Sequence, residues 1–188
     1  MPNIPEQDNS EKEPSRLLQE AGMYVFMGEI TDDAIRPIIE WILVENHVVR
    51  KKKKELLLMI CSEGGAMESA FALIDVMRNS SHNIRTVGIG SVISSAFLIF
   101  AAGDSGERYI GKNASCMMHQ YSNEFSGKYH DITAAKKETE LNHTRMIALL
   151  SQFTSLDAET VKSTFLSPTD NWLTPEEMLN YGVADYIF

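Results

Sequence analysis

Cysteine is almost missing from this chain. The only two, Cys61 and Cys116, sit inside apolar runs with neither pairing nor metal-ligand spacing. A disulfide framework and a cysteine-based metal site are therefore excluded, no metal or cofactor is implied, and buried, reduced thiols in a cytoplasmic setting are expected. Long hydrophobic runs are missing too. The longest, Ala96 to Ala102, is far short of the roughly 18 residues that a membrane helix needs. The opening "MPNIPEQDNSEKEP" holds no apolar stretch of the kind a secretory leader carries. Positive charge is scarce: 17 Lys and Arg against 26 Asp and Glu give a formal charge of -9. That balance argues against nucleic acid or an anionic membrane as the main partner. The one basic run, Arg50 to Lys54, precedes an apolar strand and reads as a solvated loop. A soluble protein is the expectation.

What is present suits a single core. Hydrophobic residues at 44% and charged residues at 23% are ordinary globular proportions. Residues 1–14 are polar, acidic and proline-bearing, and read as a mobile arm before one domain over 15–188. "MYVFMGEI" reads as a strand, and Ile35, Ile38, Ile39 and Ile42 share one helical face after Thr31. Then a pattern repeats. "ELLLMICSEGG" is a strand closed by a turn, followed by the helix "AMESAFALIDVMR". "IRTVGIG" is a second strand, and Ser94 to Ala102 a second helix stopped by Gly103. "ERYIG" and "SCMMHQ" form a third strand region, and a long helix runs from Asp131 to Phe153. A further helix is expected with Ser155 as its cap, and a last one with Thr174 as cap, Pro175 first and Gly182 as stop. Strand–helix alternation of this kind predicts an α/β fold with parallel pairing.

The chemistry is expected where strands hand over to helices. First-turn N–H groups lack intrahelical partners and lie at the positive end of the helix dipole. Two of them aimed at a carbonyl under attack can stabilise an oxyanion. Gly64-Gly65 offers one such place and Ser94-Ser95 another. A hydroxyl there still needs a base. His47, His82, His130 and His143 lie in polar connections or on the charged long helix and read as solvated. His119 ends an apolar strand, where it is either a satisfied core histidine or a base. Asp170 lies in a loop, as either a turn or capping residue or the third member of a triad.

A resemblance decides among these readings. From Ser15 to Phe188 the chain resembles the proteolytic subunits of the Clp protease, the ClpP family. "SRLLQEAGMYVFMGEI" resembles the family's first segment and strand, and "ICSEGG" its Asn-Ser-Pro-Gly-Gly turn. "GSVISSAFLIFAAG" resembles its nucleophile segment, "MMHQY" its histidine segment and "DNWLTPEEMLNYGVADYI" its aspartate segment. The resemblance implies Ser94 as nucleophile, His119 as general base and Asp170 as the residue that orients the imidazole. Gly65 and Ser95 would supply oxyanion-hole N–H groups, with Ser95 contributing its backbone. Gly64, Gly65, Tyr121 and Ser122 would bind substrate.

The implied fold is a ClpP/crotonase-like spiral of strand–strand–helix units with a long protruding helix. The implied assembly is two heptameric rings stacked through that helix as a tetradecamer, fed with polypeptide by a Clp-type AAA+ unfoldase. Some positions depart from the family pattern: Val92, Ile93, Ser95 and Ala96 around the nucleophile, Tyr121, Asn123 and Glu124 on the substrate-aligning strand, and Pro168-Thr169 before the aspartate. A non-catalytic ring subunit and a crotonase-type acyl-CoA enzyme are the rival classes, and an intact Ser94, His119 and Asp170 set counts against both.

Overall fold

A computed structural model describes residues 12–48 and 55–188 of the chain. The basic run and most of the expected arm lie outside the described residues. The first helix, α1 (Lys12–Glu20), already begins before the expected end of that arm.

A seven-stranded sheet organises the rest. Strands β1 (Met23–Met27), β2 (Leu56–Ser62), β3 (Ile84–Ile93), β4 (Arg108–Ile110) and β7 (Tyr186–Ile187) are parallel neighbours in that order. The expected third strand region divides into β4 and β5 (Ser115–Met118), and both pair with β3. β4 takes Thr86–Gly88, whereas β5 takes Ser91–Ile93. β6 (Asn171–Leu173) then runs antiparallel to β5, a departure from all-parallel pairing.

β3 is longer than the sequence pattern predicts, because it continues past Gly90. That glycine has φ 57°, and a Cβ there would lie 2.8 Å from the Cys61 sulfur. The bend lets one strand change partner and carry Val92-Ile93 up to Ser94.

The helices are α2 (Asp32–His47), α3 (Met67–Arg78), α4 (Ser95–Ala101), α5 (Tyr129–Phe153), α6 (Ala158–Phe165) and α7 (Pro175–Asn180). Thr31 caps α2 by accepting from the Ala34 N–H, and Ile35, Ile38 and Ile42 on its inner face are buried. Every residue of α4 is buried, since it packs against β2, β3, β5, α3 and α5. Its unbroken apolar sequence follows from that central position.

α6 is capped by Asp157, whose carboxylate accepts from the Thr160 N–H at 2.8 Å, and not by Ser155. The chain at 154–156 is still closing α5: the Thr154 hydroxyl donates to the Leu150 carbonyl and accepts from the Leu156 N–H. The last helix follows expectation, with a Thr174–Glu177 capping box, Pro175 at its start and Gly182 at φ 70° beyond its end. His47 and His130 are exposed and His143 half-buried, but His82 is buried, with Nε2 3.1 Å from the Glu45 carbonyl oxygen.

One face of the sheet is covered by helices and the other is not. In β2 the residues alternate between buried and half-exposed, while Val25 and Met27 of β1 and Tyr186 of β7 are exposed. Parallel sheets are ordinarily covered on both faces. This one leaves apolar surface open.

Candidate active site

Ser94 is the hinge between β3 and α4, with φ 57° and ψ -124°. Among the described residues it is the one non-glycine residue with positive φ. Such a backbone costs roughly 1–3 kcal/mol and persists only where its surroundings hold it. Here the Ser94 N–H donates to the Met117 carbonyl at 2.9 Å, and the Ser94 carbonyl accepts from Phe97 at 3.0 Å. A sharp strand-to-helix turn of this kind projects a hydroxyl beyond the sheet edge.

The partner strand supplies the base. Ile93 and Met117 are register partners, so the residues beyond each strand end come close together. His119 Nε2 lies 2.8 Å from Ser94 Oγ. With the imidazole neutral and its proton on Nδ1, Nε2 accepts the serine O–H. His119 is half-buried at the mouth of a cleft rather than a closed core residue.

Gly64 and Gly65 fill the third side. A Cβ on Gly64 would lie 2.8 Å from the Ser94 Cβ, and one on Gly65 would collide with the Ile30 backbone. Both have positive φ, so glycine is required twice over. The Ser62 hydroxyl accepts from the Gly64 N–H at 3.1 Å and shapes the turn. Ile30 N–H donates to the Gly64 carbonyl and Ala66 N–H to the Ile30 carbonyl, which pins the loop from both ends. The N–H groups of Gly65 and Ser95 donate to no acceptor among the described residues. The Ser95 side chain is fully buried, and its hydroxyl donates to the Gly65 carbonyl at 3.2 Å.

Asp170 does not join this group. Met118 pairs with Asn171, so one further register step sets Asp170 opposite His119. Its side chain is nevertheless exposed and makes no hydrogen bond among the described residues. The neighbouring loop is tied elsewhere: Gln120 Nε2 donates to the Leu166 carbonyl at 2.8 Å, and the Ser167 hydroxyl to the Thr169 carbonyl at 2.7 Å.

A cleft of about 190 Å³ opens beside Ser94 and His119. Gly65, Tyr121 and Ser122 line it, whereas Gly64 lines a separate cleft behind the turn. No strand forms over residues 119–128, where the family resemblance implies a substrate-aligning one. Instead Asn123 folds the segment on itself, donating to the Tyr121 hydroxyl and accepting from the Glu124 N–H.

Other residues of the site escaped sequence reasoning. Met67 and Glu68 on α3 and Met146 on α5 line the same cleft. Asn142 on α5 is buried at 1% exposure and donates to Glu68 Oε1 at 3.2 Å. The available signal was their spacing: Asn142 and Met146 are four apart on one helix face, and Glu68 follows Gly65 by one short turn. Cys116, next to the site on β5, is no rival nucleophile, because burial pushes its thiol pKa up to about 12.

Comparisons with known proteins place the chain in a family. A family model described as Clp protease matches residues 6–188. The ATP-dependent Clp protease proteolytic subunit 2 of Tropheryma whipplei (strain Twist) is 36% identical, covering 92% of this chain and 93% of that protein. The subunit 2 of Thermobifida fusca (strain YX) is 29% identical over 98% of this chain and 89% of its own length. The subunit 1 of Leifsonia xyli subsp. xyli (strain CTCB07) is 30% identical over 92% and 85%. A family match over nearly the whole length, a 2.8 Å serine–histidine contact at a strained turn and an α/β fold converge: the chain belongs to the Clp protease family, a family of serine peptidases.

Proposed function

We propose that this chain is the serine endopeptidase subunit of a self-compartmentalising Clp-type protease, cleaving unfolded polypeptides to short peptides. The observation that carries the reading is the 2.8 Å contact between Ser94 Oγ and His119 Nε2 at the strained turn. Ser94 Oγ attacks the peptide carbonyl while His119 Nε2 takes its proton. The Gly65 and Ser95 N–H groups, which donate to no acceptor among the described residues, hold the oxyanion. Collapse of the tetrahedral intermediate breaks the C–N bond, and His119 returns the proton to the leaving amine. Water then attacks the ester by the same route in reverse, freeing the acid and Ser94. In this reading Asp170 turns inward to accept from Nδ1–H and holds the tautomer that leaves Nε2 as acceptor. Gly64, Gly65, Tyr121 and Ser122 align the peptide.

Residues 15–188 act as one peptidase domain, and the active unit is two homo-heptameric rings stacked as a tetradecamer in the cytoplasm. The uncovered sheet face supports a partner within the ring. Tyr129 and Ile132, exposed on α5, support a contact between rings. A Clp-type AAA+ unfoldase supplies the substrate. No described helix is long and apolar enough to cross a membrane.

One observation favours a second reading, a ring subunit without catalytic competence: Asp170 is exposed and makes no hydrogen bond among the described residues. A fluorophosphonate probe separates the two. Labelling of Ser94, abolished in Ser94→Ala and accompanied by peptide hydrolysis, is the expected result. An assembled ring whose Ser94 stays unlabelled would establish the second reading. Sedimentation velocity of the purified chain checks the assembly.

A further inference from the structure

The cleft beside Ser94 carries a charge that the triad chemistry does not use. Beyond Gly65 the chain runs straight into α3, so Met67 and Glu68 line the same cleft as Ser94 and His119. Met146 of α5 lines it as well. These two methionines give the lining flexible apolar side chains, which suit an unbranched aliphatic chain. Glu68 adds to that lining an exposed carboxylate that is held but unneutralised.

The holding is specific. Glu68 Oε1 accepts from Nδ2 of the buried Asn142, while Oε2 has no partner among the described residues. Arg145 is the nearby cation, and it is engaged elsewhere. Its Nη1 donates to Asn142 Oδ1 at 3.1 Å, and its guanidinium lies 5.9 Å from the Phe71 ring centroid. It forms no ion pair with Glu68 among the described residues. Asn142 therefore orients both groups and keeps them apart, leaving one carboxylate oxygen free to accept. Among the described residues no lysine or arginine lines the cleft to neutralise the acid.

We propose that Glu68 is a specificity-determining residue that selects a lysine or arginine side chain at the substrate position whose carbonyl Ser94 attacks. The inference rests on the peptidase reading above and names its substrate class: cationic polypeptide segments. The methionines pack the aliphatic stem, and the terminal ammonium or guanidinium donates to the free Glu68 oxygen in a charge-assisted hydrogen bond. An apolar side chain of equal size gains the packing but leaves the carboxylate desolvated and unpaired. An acidic one is repelled.

The test uses the full-length assembled protein and fluorogenic peptides that differ only in that residue: Lys, Arg, Leu or Glu. Wild type, Glu68→Gln and Glu68→Lys are compared by kcat/KM, with fluorophosphonate labelling of Ser94 run on each. A charge-assisted contact of ordinary strength corresponds to a preference for Lys and Arg over Leu of about 10- to 100-fold. That ratio should collapse in Glu68→Gln, which keeps the shape and the Asn142 bond, and Glu68→Lys should turn preference toward Glu. A wild type that prefers Leu, or a ratio unchanged in Glu68→Gln while Ser94 labels normally, overturns the specificity and leaves the peptidase reading standing. If Ser94 neither labels nor cleaves any of the four peptides, the peptidase reading fails and this inference falls with it.

Discussion

The Ser95 hydroxyl donates to the Gly65 carbonyl, and the N–H groups of these same two residues donate to no acceptor among the described residues. The bond ties the turn after β2 to the first residue of α4, and so sets the separation between the two donors. The family resemblance gave Ser95 a backbone role alone, but the geometry gives its side chain a positioning role as well.

Removing that bond in Ser95→Ala takes the side-chain donor away from the Gly65 carbonyl and loosens one donor against the other. A neutral hydrogen bond is worth about 0.5–1.5 kcal/mol. Turnover should therefore fall by roughly 3- to 10-fold with KM little changed, well short of the loss in Ser94→Ala. Steady-state kinetics of the two variants side by side checks it. A Ser95→Ala enzyme as fast as wild type would show that the donors keep their spacing without the tie.

Strain at Ser94 predicts that, of two inactive variants, glycine is sturdier than alanine. Glycine relieves a backbone cost of roughly 1–3 kcal/mol at φ 57°, against about 0.5–1 kcal/mol of extra chain entropy. Ser94→Gly should unfold at a temperature a few degrees above Ser94→Ala, with neither variant hydrolysing peptide. Equal melting temperatures in calorimetry would mean that the turn is unstrained.

Asp170→Asn tests whether the exposed carboxylate turns inward during catalysis. An amide presents an N–H where an acceptor is needed and favours the wrong imidazole tautomer, a loss of about 10⁴ in kcat for a triad of this type. KM should move little. An Asp170→Asn enzyme within a few-fold of wild type would assign the orienting role to another group or to none.

Arg108 and Asp185 predict the acid limit of the fold. Their side chains are 6% and 18% exposed, and both carboxylate oxygens of Asp185 accept from the guanidinium. Burial works against the Asp185 charge. Hydrogen bonds from the Arg108 side chain and from the Arg108 and Gly106 N–H groups outweigh it and hold the carboxyl below its usual range. The pair's contribution is thus complete above the ordinary aspartate pKa of about 3.9 and disappears as pH falls through the lower folded value. Asp185→Asn leaves the guanidinium buried without its counter-charge, at a cost of about 3–5 kcal/mol. Denaturant unfolding from pH 7 down to pH 2 should show the wild-type advantage over Asp185→Asn shrinking toward the acid end. An advantage that is constant with pH would show the pair contributes through packing alone.

Local patterns in the sequence determined the elements, because capping and periodicity act over a few residues. Thr31 before the Ile35–Ile38–Ile42 stripe, and Thr174-Pro175 with Gly182, mark helices in the structure as they do in the sequence. The buried α4 and the double glycine at 64–65 were legible for the same reason, as was the candidacy of Ser94 and His119. What depends on distant partners was not legible. Nothing within β3 says that it changes neighbour at Gly90, since that depends on β4 and β5 arriving at its two halves. His82 reads as a polar-loop residue and is buried because α2 brings the Glu45 carbonyl to it. Asp157 rather than Ser155 caps α6 because closing α5 already occupies the chain at Thr154. Glu68 looks like an ordinary acid in a helix's first turn until α5 sets Asn142 and Met146 across from it. Sequence determined which residues could do chemistry, whereas only tertiary structure decided which of them meet, since a contact between groups far apart in the chain is set by the packing of everything between them.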